Sequence, residues 1–419
     1  MNNIKIRLIL MNFLQFFIWG AWMITVANYW FGTKGWSSIE FGAIFSTMGI
    51  ASIFMPTICG IIADRWLNTE KLYGILHILG GFTFLSIPFV NDPVTFFWII
   101  LLAMIFYMPT LALSNSVAYS ILDSYNLDSV KHFPPIRVWG TVGFIVAMWV
   151  TNLSGNKASE NQFYIAGVAA ILLGIYAITS LPKCPPAKSA TKNKNLVELL
   201  GLDAFRLFKY KKMAIFFLFS MLLGAALQLT NAYGDTYLDD FKNVAEYQDS
   251  FVVRYSTIIL SISQISETLF ILAIPFFLGR FGIKKVMLIS MAAWVFRFGL
   301  FAYGNPTDRL WMIILSCIIY GMAFDFFNIS GSLFVEKSTN SKIRSSAQGL
   351  FTMMTNGFGA VIGSWVSGIV IQRFFLYEDG TKDWYHIWLS FAAYALIIGL
   401  LFAFLFKDNK NITEEKAIE

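Results

Sequence analysis

Residues 95–121 read TFFWIILLAMIFYMPTLALSNSVAYSI, 27 residues without one Asp, Glu, Lys or Arg. As a helix rising 1.5 Å per residue, the run is about 40 Å long, more than the ~30 Å hydrocarbon core of a bilayer. Near-continuous apolar runs of this kind recur along all 419 residues, and the composition agrees with them: 57% hydrophobic, 17% aromatic and only 13% charged. A soluble fold of this length has too little interior for so much apolar side chain, so lipid must be the solvent. Within lipid the backbone has to satisfy its own hydrogen bonds, which predicts an all-α integral membrane protein. The first run, Leu8 to Trp30, is too long and too aromatic for a secretory leader and has no small-x-small cleavage site after it, so it reads as the first span.

Hydrophobic runs place six spans at 8–30, 39–62, 72–90, 95–121, 137–154 and 161–181, and six more at 213–238, 252–278, 285–303, 309–335, 345–372 and 385–406. The expected organisation is an N-terminal six-helix bundle over 1–181, a cytoplasmic linker over 182–212, a C-terminal six-helix bundle over 213–406 and a cytoplasmic tail over 407–419. With both termini cytoplasmic, the inside loops hold about 22 Lys and Arg and the outside loops about 7, the asymmetry that the positive-inside rule expects. The formal charge of +6 is spread through these short loops, which argues against a nucleic-acid partner. Cys59, Cys184 and Cys317 are far apart and form no metal knuckle or disulfide framework, so no metal and no cofactor are expected. The Asn411-Ile-Thr sequon has no meaning in a cytoplasmic tail.

The halves repeat weakly. Gly60-Ile-Ile-Ala-Asp-Arg-Trp follows the second span and Leu278-Gly-Arg-Phe-Gly-Ile-Lys-Lys the eighth; Arg137-Val-Trp-Gly-Thr opens the fifth and Arg344-Ser-Ser-Ala-Gln-Gly the eleventh. Twelve helices in two six-helix halves about a central cavity resemble the major facilitator fold. The loop holding Gly60, Asp64 and Arg65 is similar to that superfamily's hallmark, which implies a conformational latch at Asp64 and Arg65. A plain solvated turn is the other reading of that loop.

A charge within a span needs a partner or a function. Arg137, Glu267, Arg297 and Asp325 all stand in that position. On the fifth span Arg137, Thr141 and Phe144 share one face at i, i+4 and i+7; Gln228 with Asn231 and Gln264 with Glu267 are i, i+3 pairs; Tyr320 and Phe324 are i, i+4 beside Asp325 and Asn328. Amides that read a base edge, charged groups that bind sugar hydroxyls and rings that stack on a heterocycle are together what a nucleoside requires. Taken singly, an intramembrane amide is more often a helix-to-helix bond and a phenylalanine more often packing. The convergence carries the reading.

Four segments, Phe133-Pro-Pro-Ile-Arg-Val-Trp-Gly-Thr-Val-Gly-Phe, Ala214-Ile-Phe-Phe-Leu-Phe-Ser-Met-Leu-Leu-Gly, Ser261-Ile-Ser-Gln-Ile-Ser-Glu-Thr-Leu-Phe-Ile-Leu and Phe324-Asp-Phe-Phe-Asn-Ile-Ser-Gly-Ser, resemble the bacterial nucleoside:proton symporters of the major facilitator superfamily. The resemblance implies a proton-coupled importer of nucleosides such as uridine or adenosine, in the cytoplasmic (inner) membrane of a bacterium, working as a monomer by alternating access. It also implies that Arg137, Thr141, Phe144, Gln228, Asn231, Gln264, Glu267, Tyr320 and Phe324 hold the substrate. Glu267 or Asp325 is expected to take a proton at the outward-facing stage and release it inside; Asp325 paired permanently with Arg297 or another base, and Glu267 as a substrate ligand that never titrates, are the other readings. With no Gly-Lys dipeptide there is no P-loop, so ATP is excluded as the driver. A sugar:proton symporter of the same fold is the rival. An enzyme is not expected, because no H-E-x-x-H, G-x-S-x-G or His and Asp cluster is present. His77, His132 and His386 read as solvated, and Pro134-Pro135 as the start of the fifth helix.

Overall fold

The computed structural model describes residues 2–186, 202–339 and 344–407. Among these the secondary structure is helical apart from an isolated bridge between Leu376 and Lys382. Ten helices are long and apolar enough to cross a membrane. One of them, Ser256–Tyr303, is two helices joined at Gly282, whose φ of 76° and ψ of 169° turn the chain in a region open to glycine. That glycine makes a loop between the expected spans 252–278 and 285–303 unnecessary. The N-terminal helix, short of these criteria, supplies the remaining segment of the twelve read from sequence. Residues fall into two compact units, Met1–Leu199 and Leu200–Glu419.

In the first unit the helices are α1 Asn2–Gly20, α2 Ser38–Arg65, α3 Thr69–Ser86, α4 Pro93–Ser124, α5 Ser129–Leu153 and α6 Asn161–Ser180. The first span is not one helix: after Gly20 come a turn, a short helix at Val26–Asn28 and a π-helical turn at Tyr29–Thr33. Small residues set which helices meet, as expected where lipid gives helices no hydrophobic reason to associate. Glycines 74 and 81 of α3 abut Gly174 and Gly167 of α6 so closely that an added Cβ would lie 2.7 and 2.8 Å from the opposing carbonyl oxygens. Helix α2 runs through Gly60 to Arg65, so the expected loop there is the last turn of a helix. Helix α5 begins at Ser129, which places Pro134 and Pro135 inside it. Their missing N–H groups free the carbonyls of residues near the helix's start, where a break is least harmful.

Segment 182–186 is held to this unit at the head of α3. The buried Glu70 carboxylate accepts from the Cys184 backbone N–H at 2.7 Å and from Asn68 at 3.1 Å, while the Thr69 N–H donates to the Cys184 carbonyl at 3.0 Å. Burial pushes the Cys184 thiol up to about 11, leaving a neutral packing group. Glu70→Ala removes a charged acceptor from two donors and should destabilise the unit by about 2 kcal/mol. Thermal unfolding in detergent checks this; a melting temperature equal to that of the unsubstituted protein would contradict the anchoring. Of the rest of the expected linker 182–212, residues 187–201 lie outside the described residues, Leu202–Lys209 form a 3-10 helix and the next long helix starts at Lys211; the tail from 408 also lies outside.

In the second unit α7 is Lys211–Asp240, α8 Ser256–Tyr303, α9 Leu310–Ser338, α10 Arg344–Thr352 and α11 Trp384–Leu405. Helix α10 continues through a π-helical turn, Met353–Gly359, into Ala360–Phe374. Glycines again allow the approach: an added Cβ at Gly224 of α7 would lie 2.0 Å from the Thr355 carbonyl oxygen, and one at Gly321 of α9 2.7 Å from the Glu267 nitrogen.

Candidate functional site

In the first unit the site residues stand on the face of α5 turned to α1. Gly140 and Gly143 let the two helices touch: a Cβ at Gly143 would sit 2.1 Å from the Phe13 carbonyl oxygen, and one at Gly140 2.7 Å from the Phe16 ring. The contact puts the Arg137 guanidinium carbon 4.0 Å from the Phe16 ring centroid, a cation–π stack that holds a donor fork on this face. Thr141 follows one turn on, half-buried. Phe144 is buried and meets Trp19 edge-on at 6.4 Å, and Trp19 leans on Tyr107 at 5.8 Å.

Behind this face a buried network missed in the sequence joins three helices. The Gln15 amide donates to Thr110 at 2.9 Å and its carbonyl oxygen meets the Tyr73 hydroxyl at 2.7 Å and His77 Nε2 at 2.8 Å; the Tyr107 hydroxyl donates to the Gln15 backbone at 2.7 Å. His77 is therefore not solvated. It lies within α3, 2% exposed. His386 is exposed, as expected, against Asp383 at 2.7 Å.

In the second unit the structure gathers Gln264, Glu267, Tyr320, Phe324 and Asp325. Tyr320 and Phe324 stack at 6.2 Å with 13° between planes, and Trp294 meets Tyr320 edge-on at 6.1 Å. Gln264 lies beside the Tyr320 hydroxyl, and Glu267 lies close enough to act electrostatically on both Tyr320 and Asp325. Asp325 is 4% exposed and, among the described residues, its Oδ2 has no hydrogen-bond partner; the same holds for Oε1 of the buried Gln228. Asn231 is half-buried one turn further along α7.

Arg297 is not the counter-ion of Asp325. It is 1% exposed, donates to the Ser316 carbonyl at 2.7 Å and to the Thr230 hydroxyl at 3.3 Å, and lies 4.5 Å from the Tyr320 ring centroid. Ser316 and Asp325 are nine residues apart on α9, about 13 Å of helix, and that distance prevents a pairing. Asp235, buried and accepting from Thr257 at 3.0 Å, was missed although it falls within the expected seventh span. Arg65 is exposed at the end of α2; the Asp64 side chain lies outside what is described.

A shallow recess, with about 20 Å³ of enclosed space, opens beside Phe324, lined by Trp294, Phe327, Asn328, Thr355 and Asn356 among others. Asn356 was missed as well, although a polar residue deep in the expected eleventh span was a signal of the kind used for Gln264.

A polytopic chain whose described residues are helical, with carboxylates, amides and rings inside its spans and no metal-binding cluster among the described residues, belongs to the class of membrane transporters with a major facilitator-type fold. More particularly, the chain belongs to the nucleoside H+ symporter family, whose model matches residues 1–411. It is 53% identical to the xanthosine permease of Escherichia coli over 98% of this chain and 97% of that one. It is 50% identical to the nucleoside permease NupG of the same organism over 97% and 96%. The crystal structure of the nucleoside transporter NupG superposes with a TM-score of 0.90 at 49% identity, covering 97% of this chain and all of that one.

Proposed function

We propose that this chain imports nucleosides together with protons across the cytoplasmic membrane by alternating access. The observation that carries the reading is the intramembrane cluster of the second unit: a flat stack of Tyr320 and Phe324, the Gln264 amide, and two carboxylates, Glu267 and Asp325, near enough to repel. The rings offer a heterocycle its stacking surface, and the amides of Gln264, Gln228 and Asn231 carry the donors and acceptors of a base edge. Arg137 and Thr141, flanked by Phe144, contact the same nucleoside in this reading, the guanidinium taking hydroxyls. One proton shared by Glu267 and Asp325 removes their repulsion, and its loss restores it, which couples protonation to the state of the carrier. Both termini are cytoplasmic, the working unit is a monomer, and Asp64 with Arg65 latches the cytoplasmic side. Family membership favours a base over the hexose of the sugar-symporter reading.

Uptake of labelled uridine into cells expressing the chain tests this, with adenosine, xanthosine, uracil and lactose as competitors and with the pH gradient imposed or collapsed. The expected result is gradient-dependent uptake displaced by nucleosides and untouched by lactose. Competition by lactose alone would overturn it.

A further inference from the structure

Arg297 stands behind the cluster of the second unit, 1% exposed and far from any water-filled surface. Its Nη1 donates to the Ser316 carbonyl at 2.7 Å and lies 3.5 Å from the Ser263 hydroxyl, while Nε donates to the Thr230 hydroxyl at 3.3 Å. The guanidinium carbon lies 4.5 Å from the Tyr320 ring centroid and 5.0 Å from that of Phe301. The Ser316 hydroxyl returns a bond to the Arg297 carbonyl at 2.9 Å. Among the described residues, then, the hydrogen-bond partners of this cation are neutral. Burying a charge against neutral acceptors is costly, and an apolar side chain of similar volume would often pack as stably. Stability alone is a poor account of an arginine here.

Its contacts have a pattern. Thr230 precedes Asn231 on α7, Ser263 precedes Gln264 on α8, and Ser316 lies one turn before Tyr320 on α9. One planar group thus ties the two amide-bearing turns to the helix that carries the rings. Arginine suits the task because its rigid fork presents several donors in one plane and its face can lie on a ring at the same time; a lysine ammonium is a point charge and cannot do both. Tyr320 is the ring so held, the same one that stacks on Phe324 at 6.2 Å and 13°. A desolvated cation against an aromatic face fixes that ring more firmly than ring contacts do alone.

We propose that Arg297 is a positioning residue for the nucleoside: without touching the substrate it sets the Tyr320 ring and the register of the α7 and α8 amides against that ring. The stacking surface and the base-edge groups are then in place before the nucleoside arrives. Side chains ordered beforehand need not be ordered on binding, so affinity rises. The arginine acts on binding and leaves the conformational change alone. This inference rests on the nucleoside reading above.

The test measures KM and Vmax for uridine uptake, with Vmax corrected for the amount of folded carrier, in the unsubstituted protein, Arg297→Met, Arg297→Lys and Thr230→Val. Arg297→Met should raise KM about tenfold with corrected Vmax kept within about twofold, and Arg297→Lys should recover part of that loss. Thr230→Val, which removes one acceptor and keeps the shape, should raise KM by about threefold. A merely structural arginine would lower the amount of folded carrier and leave KM where it was, so a KM unchanged in every folded variant overturns the proposal. Should Arg297→Met fail to fold, Arg297→Lys and Thr230→Val decide on the same criterion. A double-substitution cycle adds a second reading: in a Tyr320→Leu background the effect of Arg297→Met on KM should shrink to about threefold or less, whereas a full tenfold there overturns action through Tyr320. The unsubstituted protein is the control that separates the two failures. If it takes up no uridine the nucleoside reading falls; if it does and the variants match it, the Arg297 assignment alone falls.

Discussion

Asp325→Asn should abolish proton-driven accumulation of nucleoside while leaving counterflow exchange nearly intact. The substitution keeps shape and polarity and removes only the titratable oxygen. Among the described residues that oxygen has no hydrogen-bond partner, and Arg297, the intramembrane counter-ion that the sequence suggested, is engaged with Ser316, Thr230 and the Tyr320 ring. A permanently paired carboxylate would show neither feature. A gradient of one pH unit is worth about 1.4 kcal/mol, or tenfold accumulation, for each proton carried. Vesicles with such a gradient should therefore fall from roughly tenfold accumulation to equilibration in the variant. Counterflow, which needs substrate binding and the conformational change alone, separates lost coupling from lost binding. Glu267→Gln is the companion measurement: if Glu267 is a ligand and not the carrier, its variant raises KM and keeps the gradient dependence. Accumulation undiminished in Asp325→Asn would remove Asp325 from the coupling step.

Hydropathy made the spans legible because a bilayer leaves the backbone no alternative to self-satisfied helices. The same physics hid their ends: α2 reaches Arg65 and α5 starts at Ser129, beyond the apolar core that the runs mark. Gly282 was invisible as a hinge, since a positive φ has no hydropathic signature. Residues that act along one helix, such as Tyr320 and Phe324, follow from spacing, and the structure stacks them. Residues that act across helices do not. Gln15 reaches His77 through 62 positions of sequence, and nothing in the neighbourhood of either residue marks the pairing. Arg297 and Asp325 show the converse, two opposite charges that pattern invites one to pair and helix geometry separates. Asn356 was within reach, for a polar side chain deep in a span is a signal in itself.

Gly143→Ala should be the most damaging single methyl group that can be added to the first unit. The new Cβ would lie 2.1 Å from the Phe13 carbonyl oxygen and 2.8 Å from its carbon, both backbone atoms that no rotamer change can move aside. Helices α1 and α5 must then separate by about 1 Å, and core overpacking of this kind typically destabilises by about 1–3 kcal/mol. Separation also pulls Phe16 from the Arg137 guanidinium and Trp19 from Phe144, so binding should weaken with stability. Helix propensity works the other way, since alanine is favoured over glycine within a helix by about 1 kcal/mol. Gly299→Ala isolates that term, because a Cβ there meets nothing within 4 Å. Thermal unfolding in detergent should show Gly299→Ala equal to or above the unsubstituted protein and Gly143→Ala well below it. Were the two variants to melt together, close backbone contact between α1 and α5 could not be what positions Arg137, and the first face of the site would need another support.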